Sequence, residues 1–525
     1  MTSPPRISLC MVVKDEAAML PRFLECARGL YDELLVVDTG STDDTVALLA
    51  AAGARVFHEP WRDDFAAARN VGLEQATGEW ILILDPDEQV SPELTAQARA
   101  LTADARVGAA TVRMVNALPN GHERVAPLLR LFRNDPSVRF RFPIHEEVAS
   151  SVTAMLETRG LRMGNLTGRI QHLGYVREHA AQKHKKERDD RLLARCLKTD
   201  PDDAYSHFKR MELARFWQDP AAWTRAAEAA HAMLERTGTG PLATAHFGGE
   251  LVVLVADGLF PRAPAEALRH LQRWTGSLAP SSSATLRMGE LSEQLGDVKM
   301  ARTAFKKCLT LRHLLGDLQL ARVRPRLGLM RLALARGALS EALKHADAAL
   351  LDGPRDLEAL LGRVMLARNL GGDSAVASFA AGHRARVGPC SELEQALGEE
   401  ALFNQDAARA VTFLTRASPA EPRGELGLKL AQARLAAGDV EAARLLVKSL
   451  QAELPHAALG LLLCDLAQGR DSELEVELDE DSASAALRDW LDVLKRASPA
   501  WPAWRNAAMM LTNVFPWLPA HLGVA

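Results

Sequence analysis

The sequence predicts an α/β sheet domain followed by an all-α domain of repeated helix pairs. Three observations carry this reading. Short apolar runs alternate with helix-periodic stretches over about the first 175 residues. Strand signals stop near residue 176, and Ala/Leu-rich helical patterning follows to about residue 470. Within that second part a small residue, introduced by a turn signal, recurs at a nearly constant interval. A chain of 525 residues is also too long for one ordinary core.

Taking the front part in order, ISLCMVV (7–13) is a continuous apolar run, as expected of a strand buried on both faces. ELLVVD (33–38) and WILILD (80–85) are two more. Helical patterns fall near 17–29, 43–52 and 64–76. Strand–helix–strand alternation means parallel βαβ units, with ligands bound beyond the carboxyl ends of the strands. There the sequence places Lys14-Asp15-Glu16, Asp38-Thr39-Gly40-Ser41 and Asp85-Pro86-Asp87-Glu88.

In the second part the small-residue anchors are Ala267, Ala301, Ala342, Ala377, Ala410 and Ala443, spaced 34, 41, 35, 33 and 33 residues apart. A period near ~34 residues is that of the tetratricopeptide helix pair, in which a small residue lets two helices approach and stacked pairs bury a continuous core. An ordinary helical bundle with accidental spacing is the competing reading. The expected boundaries are 1–175 for the sheet domain, 176–470 for the repeats and 471–525 for an acidic loop and an apolar capping segment.

Composition narrows the function classes. Hydrophobic residues make up 48% and charged residues 25%, which reads as globular. A net charge of -4 leaves no electrostatic footprint for nucleic acid. The six cysteines are scattered without a CxxC pair, so neither a disulfide framework nor a zinc site is indicated. Free thiols, and an initial apolar run broken at once by Lys14, Asp15 and Glu16, point to the cytoplasm. The last twenty residues hold no Asp, Glu, Lys or Arg, but Pro516 and Pro519 interrupt them; a buried cap is favoured over a membrane contact. The mixed-charge run 177–191 reads as a solvated linking helix.

The chemistry-bearing residues follow. Asp38 ends a buried strand, where its carboxylate can accept a hydroxyl from a base or ribose. Gly40 allows close backbone approach, and the Ser-Thr-Asp-Asp stretch reads as a helix N-cap whose helix favours phosphate. An aspartate at a strand end also commonly just caps the next helix. Asp85 and Asp87 flank a turn stiffened by Pro86, so both can offer oxygens to one hard divalent cation that bridges a diphosphate. A solvated acidic turn is the alternative. Arg69 can grip phosphate, and Asn70 a base or sugar, downstream of Asp63-Asp64. Residues 130–148 bring in Arg130, Arg133, His145, Glu146 and Glu147, and a lone His172 closes a β-like run.

The motifs ISLCMVVKDEA, LLVVDTGSTDDT, DDFAAARNVGLEQATGEWILILDPDE, IHEEV and QHLGY, in that order from residue 7 to 175, resemble glycosyltransferase family 2. The resemblance is to the group with bacterial members close to lipopolysaccharide-core glucosyltransferases and peptide S-glycosyltransferases. The resemblance implies a Rossmann-like, GT-A type catalytic domain, and the rear part resembles the tetratricopeptide solenoids that some members carry. It implies a hexosyltransferase-like enzyme that uses a nucleotide-diphosphate sugar and Mg²⁺ or Mn²⁺, with a protein, peptide or glycan as acceptor. By the same resemblance, Val13, Asp15, Asp38, Asp64, Arg69, Asn70, Asp85 and Arg133 would bind donor. Asp85 and Asp87 would form the aspartate-x-aspartate metal motif, His172 would be a further metal or diphosphate contact, and Glu146 would be the base. Asp15 stands where the family usually has Asn, which adds negative charge near the diphosphate, and Pro86 where it usually has a small residue.

The implied reaction is inverting displacement at the anomeric carbon, with a carboxylate taking the acceptor's proton. Two rival classes are a non-catalytic scaffold built on a degenerate transferase fold and a nucleotidyltransferase. The paired acids and His145-Glu146 weigh against the first. The absence of any glycine between the first strand and Gly29 weighs against the second.

Overall fold

The computed structural model describes residues 4–117, 123–172, 179–238, 240–242, 245, 247–278, 280–311, 319–418, 422–451, 453–454, 456–468, 480–498, 505, 508 and 509. The chain divides into two compact units, Met1–Leu242 and Ala243–Ala525.

The first unit runs β1 (Ile7–Val13), α1 (Leu20–Cys26), β2 (Glu33–Asp38), α2 (Thr45–Ala51), β3 (Arg55–His58), α3 (Phe65–Gln75) and β4 (Trp80–Ile83). It continues with β5 (Glu88–Val90), α4 (Pro92–Thr102), β6 (Val107–Ala117), β7 (Glu123–Arg133), α5 (Ala149–Arg159) and β8 (Arg162–His172). Three helices close it: α6 (His179–Thr199), α7 (Ala204–Phe216) and α8 (Pro220–Thr237).

One sheet holds all eight strands in the order β3-β2-β1-β4-β7-β6-β8-β5. The continuous apolar runs are buried on both faces because successive side chains alternate between two cores. Ile7, Leu9, Met11 and Val13 enter one core with Leu34, Val36, Trp80 and Leu82. Cys10, Leu35, Ile81 and Ile83 enter the other. Neighbours in β3-β2-β1-β4 run parallel, as the strand–helix alternation predicts. The other half departs from that expectation: β4–β7, β7–β6 and β8–β5 are antiparallel. A pattern built from βαβ units cannot register strands that follow one another without a crossover helix, as β6 and β7 do.

The second unit is all-α, with successive antiparallel helix pairs such as Ser282–Gln294 with Val298–Thr310 and Gly424–Ala436 with Val440–Leu450. The turn signals of the repeat are N-caps: Asp297, Asp406 and Asp439 each accept the backbone N–H three residues on. The anchor alanine falls four residues after the cap, where Ala267, Ala301, Ala342, Ala410 and Ala443 are fully buried. Ala377 breaks this expectation, because it is exposed and its neighbour Val376 is buried. Gly372, at a φ of 62° inside the kink of Leu357–Val387, takes the capping place one residue earlier than the sequence pattern suggests.

No described helix is long and apolar enough to cross a membrane. The acidic stretch 473–481 and the last twenty residues lie almost entirely outside the described residues, as do residues 173–178, the start of the charged run among them. Trp490 is described and buried, packed in a core with Leu459, Leu463 and Leu487.

Candidate active site

The carboxyl ends of β1, β2 and β4 lie at one edge of the sheet: Val13 pairs with Asp38, and Cys10 with Ile83. At the tip of β2, Asp38 is buried and accepts hydrogen bonds from the N–H groups of Ser41 (3.0 Å) and Gly40 (3.3 Å). His58 Nδ1 lies 3.2 Å from the same carboxylate. Burial pushes the Asp38 carboxyl upward, but the Ser41, His58 and Gly40 hydrogen bonds outweigh it and hold the group below the ordinary carboxylate range. Val13 contributes through its backbone, its carbonyl accepting both the N–H and the hydroxyl of Thr39.

Asp15 adopts a left-handed φ of 53° and turns its carboxylate back onto the β2 loop, accepting from Thr42 N–H at 2.7 Å. Its own N–H donates to Ser41 Oγ at 3.0 Å. The charge expected to bear on a diphosphate is thus engaged in joining two loops. The expected Ser/Thr cap of α2 does not form: Asp44 holds the cap position without a side-chain bond. Asp43 instead ties the loop together by accepting from the Thr45 and Ala17 N–H groups.

Beyond β4 the chain turns through Asp85-Pro86-Asp87 into β5. Arg69, on α3, reaches this turn from below: Nη2 donates to Asp85 Oδ1 at 3.0 Å, and Nε donates to Glu146 Oε1 at 2.6 Å. Burial disfavours its charge, yet the Asp85 and Glu146 carboxylates more than compensate and hold it firmly protonated. The remaining Nη1 is buried without a hydrogen-bond partner. Arg130, on β7, approaches Asp85 Oδ2 at 3.7 Å and pairs with Glu88. Glu88 also accepts the Asp85 N–H at 3.0 Å, which fixes the turn. Burial raises the Glu88 carboxyl to about 7; Arg130 opposes that shift, and the Asp85 charge adds to it.

Glu146 arrives on the segment before α5. Its Oε2 has no hydrogen-bond partner among the described residues. Glu147, its neighbour, is spent as a cap, accepting Ser150 N–H at 2.9 Å and the Ser150 hydroxyl. Asn70 clamps the same segment through its amide, donating to Phe140 O at 3.0 Å and accepting from Phe140 N at 2.8 Å. The structure therefore engages Asn70 with backbone rather than leaving it open to a base or sugar. Asp64 is likewise the N-cap of α3, accepting Ala67 N–H at 2.9 Å.

Arg133 is not brought to this cluster. It pairs with Trp80, at the opposite end of β4 from Asp85, donates to Val107 O at 3.0 Å and lies over the Trp80 ring. The arginine that β7 does deliver is Arg130. An extended strand turns alternate residues to opposite faces and carries each three residues along by ~10 Å, so two arginines three apart cannot share one site. His172 pairs in the sheet with Glu88, one residue from Asp87; its side chain lies outside the described part.

For a divalent cation the chain offers Asp85 and Asp87 on one turn, and the described residues hold no group of three His, Cys, Asp or Glu placed around a metal. Two carboxylates are too few to complete a hard cation's shell, so these residues would hold one only together with oxygens from elsewhere.

Strand-tip Asp38, the acidic turn of Asp85 and Asp87, and the Glu146 carboxylate held by buried Arg69 make up the candidate site. Residues 8–160 match the profile of Glycosyl transferase family 2, so the first unit carries a domain of that family. A TPR repeat-containing protein of Synechococcus elongatus is 41% identical over 202 residues, which cover 38% of this chain and 50% of that one. The SPbeta prophage-derived glycosyltransferase SunS of Bacillus subtilis is 27% identical over 209 residues, 38% of this chain and 47% of that one. The matched part thus spans about half the length of each relative. Among solved structures, a tetratricopeptide repeat protein from Parabacteroides merdae is 17% identical, covering 48% of this chain and 93% of that one at a TM-score of 0.33.

Proposed function

We propose that the first unit is a cytoplasmic, inverting glycosyltransferase that moves a sugar from a nucleotide-diphosphate sugar to a hydroxyl or thiol of a protein, peptide or glycan. The observation that carries this is Arg69, which joins the acidic turn at Asp85 to the carboxylate of Glu146. Asp38 receives the nucleoside at the neighbouring strand tip. Asp85 and Asp87 would hold Mg²⁺ or Mn²⁺, and the cation would supply positive charge opposite the diphosphate leaving group. Glu146 takes the acceptor's proton as the acceptor oxygen or sulfur bonds to the anomeric carbon and the bond from that carbon to the phosphate oxygen breaks. Glu147 is unsuited to this role because Ser150 occupies both its oxygens. Arg69 keeps Glu146 and Asp85 in fixed relation, so that the base stands at a constant distance from the leaving-group side.

The test is release of nucleoside diphosphate from UDP-glucose, UDP-N-acetylglucosamine and GDP-mannose, with Mn²⁺ or with EDTA. Turnover of at least one donor, lost in EDTA and in Asp87→Ala, is expected. Equal affinity of Asp87→Ala and the parent for the diphosphate, with and without EDTA, would remove the metal from the account.

A further inference from the structure

The segment that carries Glu146 is under local strain. Phe142 and His145 both sit in the left-handed region, at φ 69° and 53°, which L side chains, bulky ones above all, rarely adopt. Such a backbone persists only where its surroundings hold it. Much of what holds it comes from the helices that follow the sheet. Tyr205, buried on α7, donates its hydroxyl to His145 O at 2.6 Å. Its ring stacks on Phe142, with centroids 4.1 Å apart and planes inclined by 23°. Ile144, between them, packs with Leu192 and Leu193 of α6. The same helix reaches the start of α3, where Arg191 forms a two-pronged pair with Asp63, itself at φ 58°. Phe65 N–H, at that start, donates to Pro143 O at 2.8 Å.

The carbonyl that Tyr205 holds belongs to the same rigid peptide plane as the Glu146 N–H. Holding that plane fixes the Glu146 N and Cα from which its side chain departs. On the far side, Arg141 and Glu147 exchange backbone hydrogen bonds of 3.0 and 3.1 Å, so the segment is anchored at both ends. We infer that Tyr205 is a positioning residue for Glu146, and that α6 and α7 are a working part of the transfer site. This rests on Glu146 being the base, as proposed above.

The two features of Tyr205 separate by substitution in the full chain. Tyr205→Phe removes the hydrogen bond and keeps the stack; Tyr205→Ala removes both. For Tyr205→Phe, kcat for nucleotide-sugar turnover with Mn²⁺ is expected to fall about tenfold while KM for the donor stays within about twofold, since the change is felt in the transition state and not in donor binding. Amide hydrogen exchange over 141–148 is expected to quicken in both variants, and over 34–45 to stay unchanged. In a Glu146→Gln background Tyr205→Phe is expected to cost nothing further, because its effect passes through that carboxylate. An equal, additive loss in that background, or parental kcat in Tyr205→Phe, would overturn the inference. So would unaltered exchange over 141–148, a result that stands whether or not the parent turns over any donor.

Discussion

At the tip of β2, Asp38 is held by backbone two and three residues further on, and the β1 and β2 loops are stitched together by partners 26 to 29 residues apart. The segment bearing Glu146 is held by Arg69, Asn70 and Tyr205, which lie 77, 70 and 60 residues away from their contacts. The first region needs only its own motif and the sheet register. The second exists only when α3, β4 and two helices beyond the sheet have docked. If Asp38 serves the donor and Glu146 the proton, as proposed, the two functions depend on different parts of the chain, and substitutions should separate them.

The largest effect is expected at Arg69, where the two halves meet. Arg69→Ala leaves Asp85 and Glu146 facing each other without the cation between them, a loss on the order of 3–5 kcal/mol of unfolding free energy with abolition of turnover. Chemical denaturation checks it, and a cost below about 1 kcal/mol would show the two halves to be independent. A smaller and one-sided effect is expected at Asp38. Asp38→Asn should weaken UDP binding in Mn²⁺ by about tenfold, through loss of a charged acceptor, and leave kcat at saturating donor within about twofold. Calorimetric titration beside steady-state kinetics reads both, and an equal fall in kcat would join what the comparison separates.

The mildest effect is electrostatic and lies on the helical brace. The hydrogen bonds from Arg191 lower the Asp63 carboxyl to about 2, below the ordinary carboxylate range. A depressed carboxyl contributes stability that is present above its unfolded pKa and drains as pH falls through its folded pKa. Acid unfolding of the first unit should thus steepen between about pH 4 and pH 2. Asp63→Asn should flatten that interval and leave the curve near neutrality parallel to the parent's, as followed by far-UV circular dichroism.

The same contrast explains what was legible in the sequence. β1 and β2 begin and end where their apolar runs do, because a run buried on both faces declares itself residue by residue. The motif order marks Asp38, Asp85 and Glu146 as site candidates, and the turn signals mark the helical repeat. Side-chain partners were not visible. The sequence reads Arg69 and Asn70 as ligands for phosphate and base, since a linear pattern does not show that a carboxylate or a carbonyl from another segment already meets them; Asp64, read as a donor contact, caps its own helix through the Ala67 N–H. Arg130 and Arg133 are equivalent in sequence, and only the strand register tells them apart. Tyr205 carries no signal of its own, being one of three aromatics on α7, and its contacts lie across the fold.

The central claim is that Glu146 is the base and that it acts separately from donor capture. The most direct measurement is kcat of Glu146→Gln at saturating nucleotide sugar and Mn²⁺, with UDP affinity measured on the same preparation. General-base assistance is worth about 10²–10⁴-fold, so turnover should fall by at least the lower figure while UDP affinity stays within about twofold. Parental turnover, or a collapse of UDP binding equal to the loss of turnover, would contradict it.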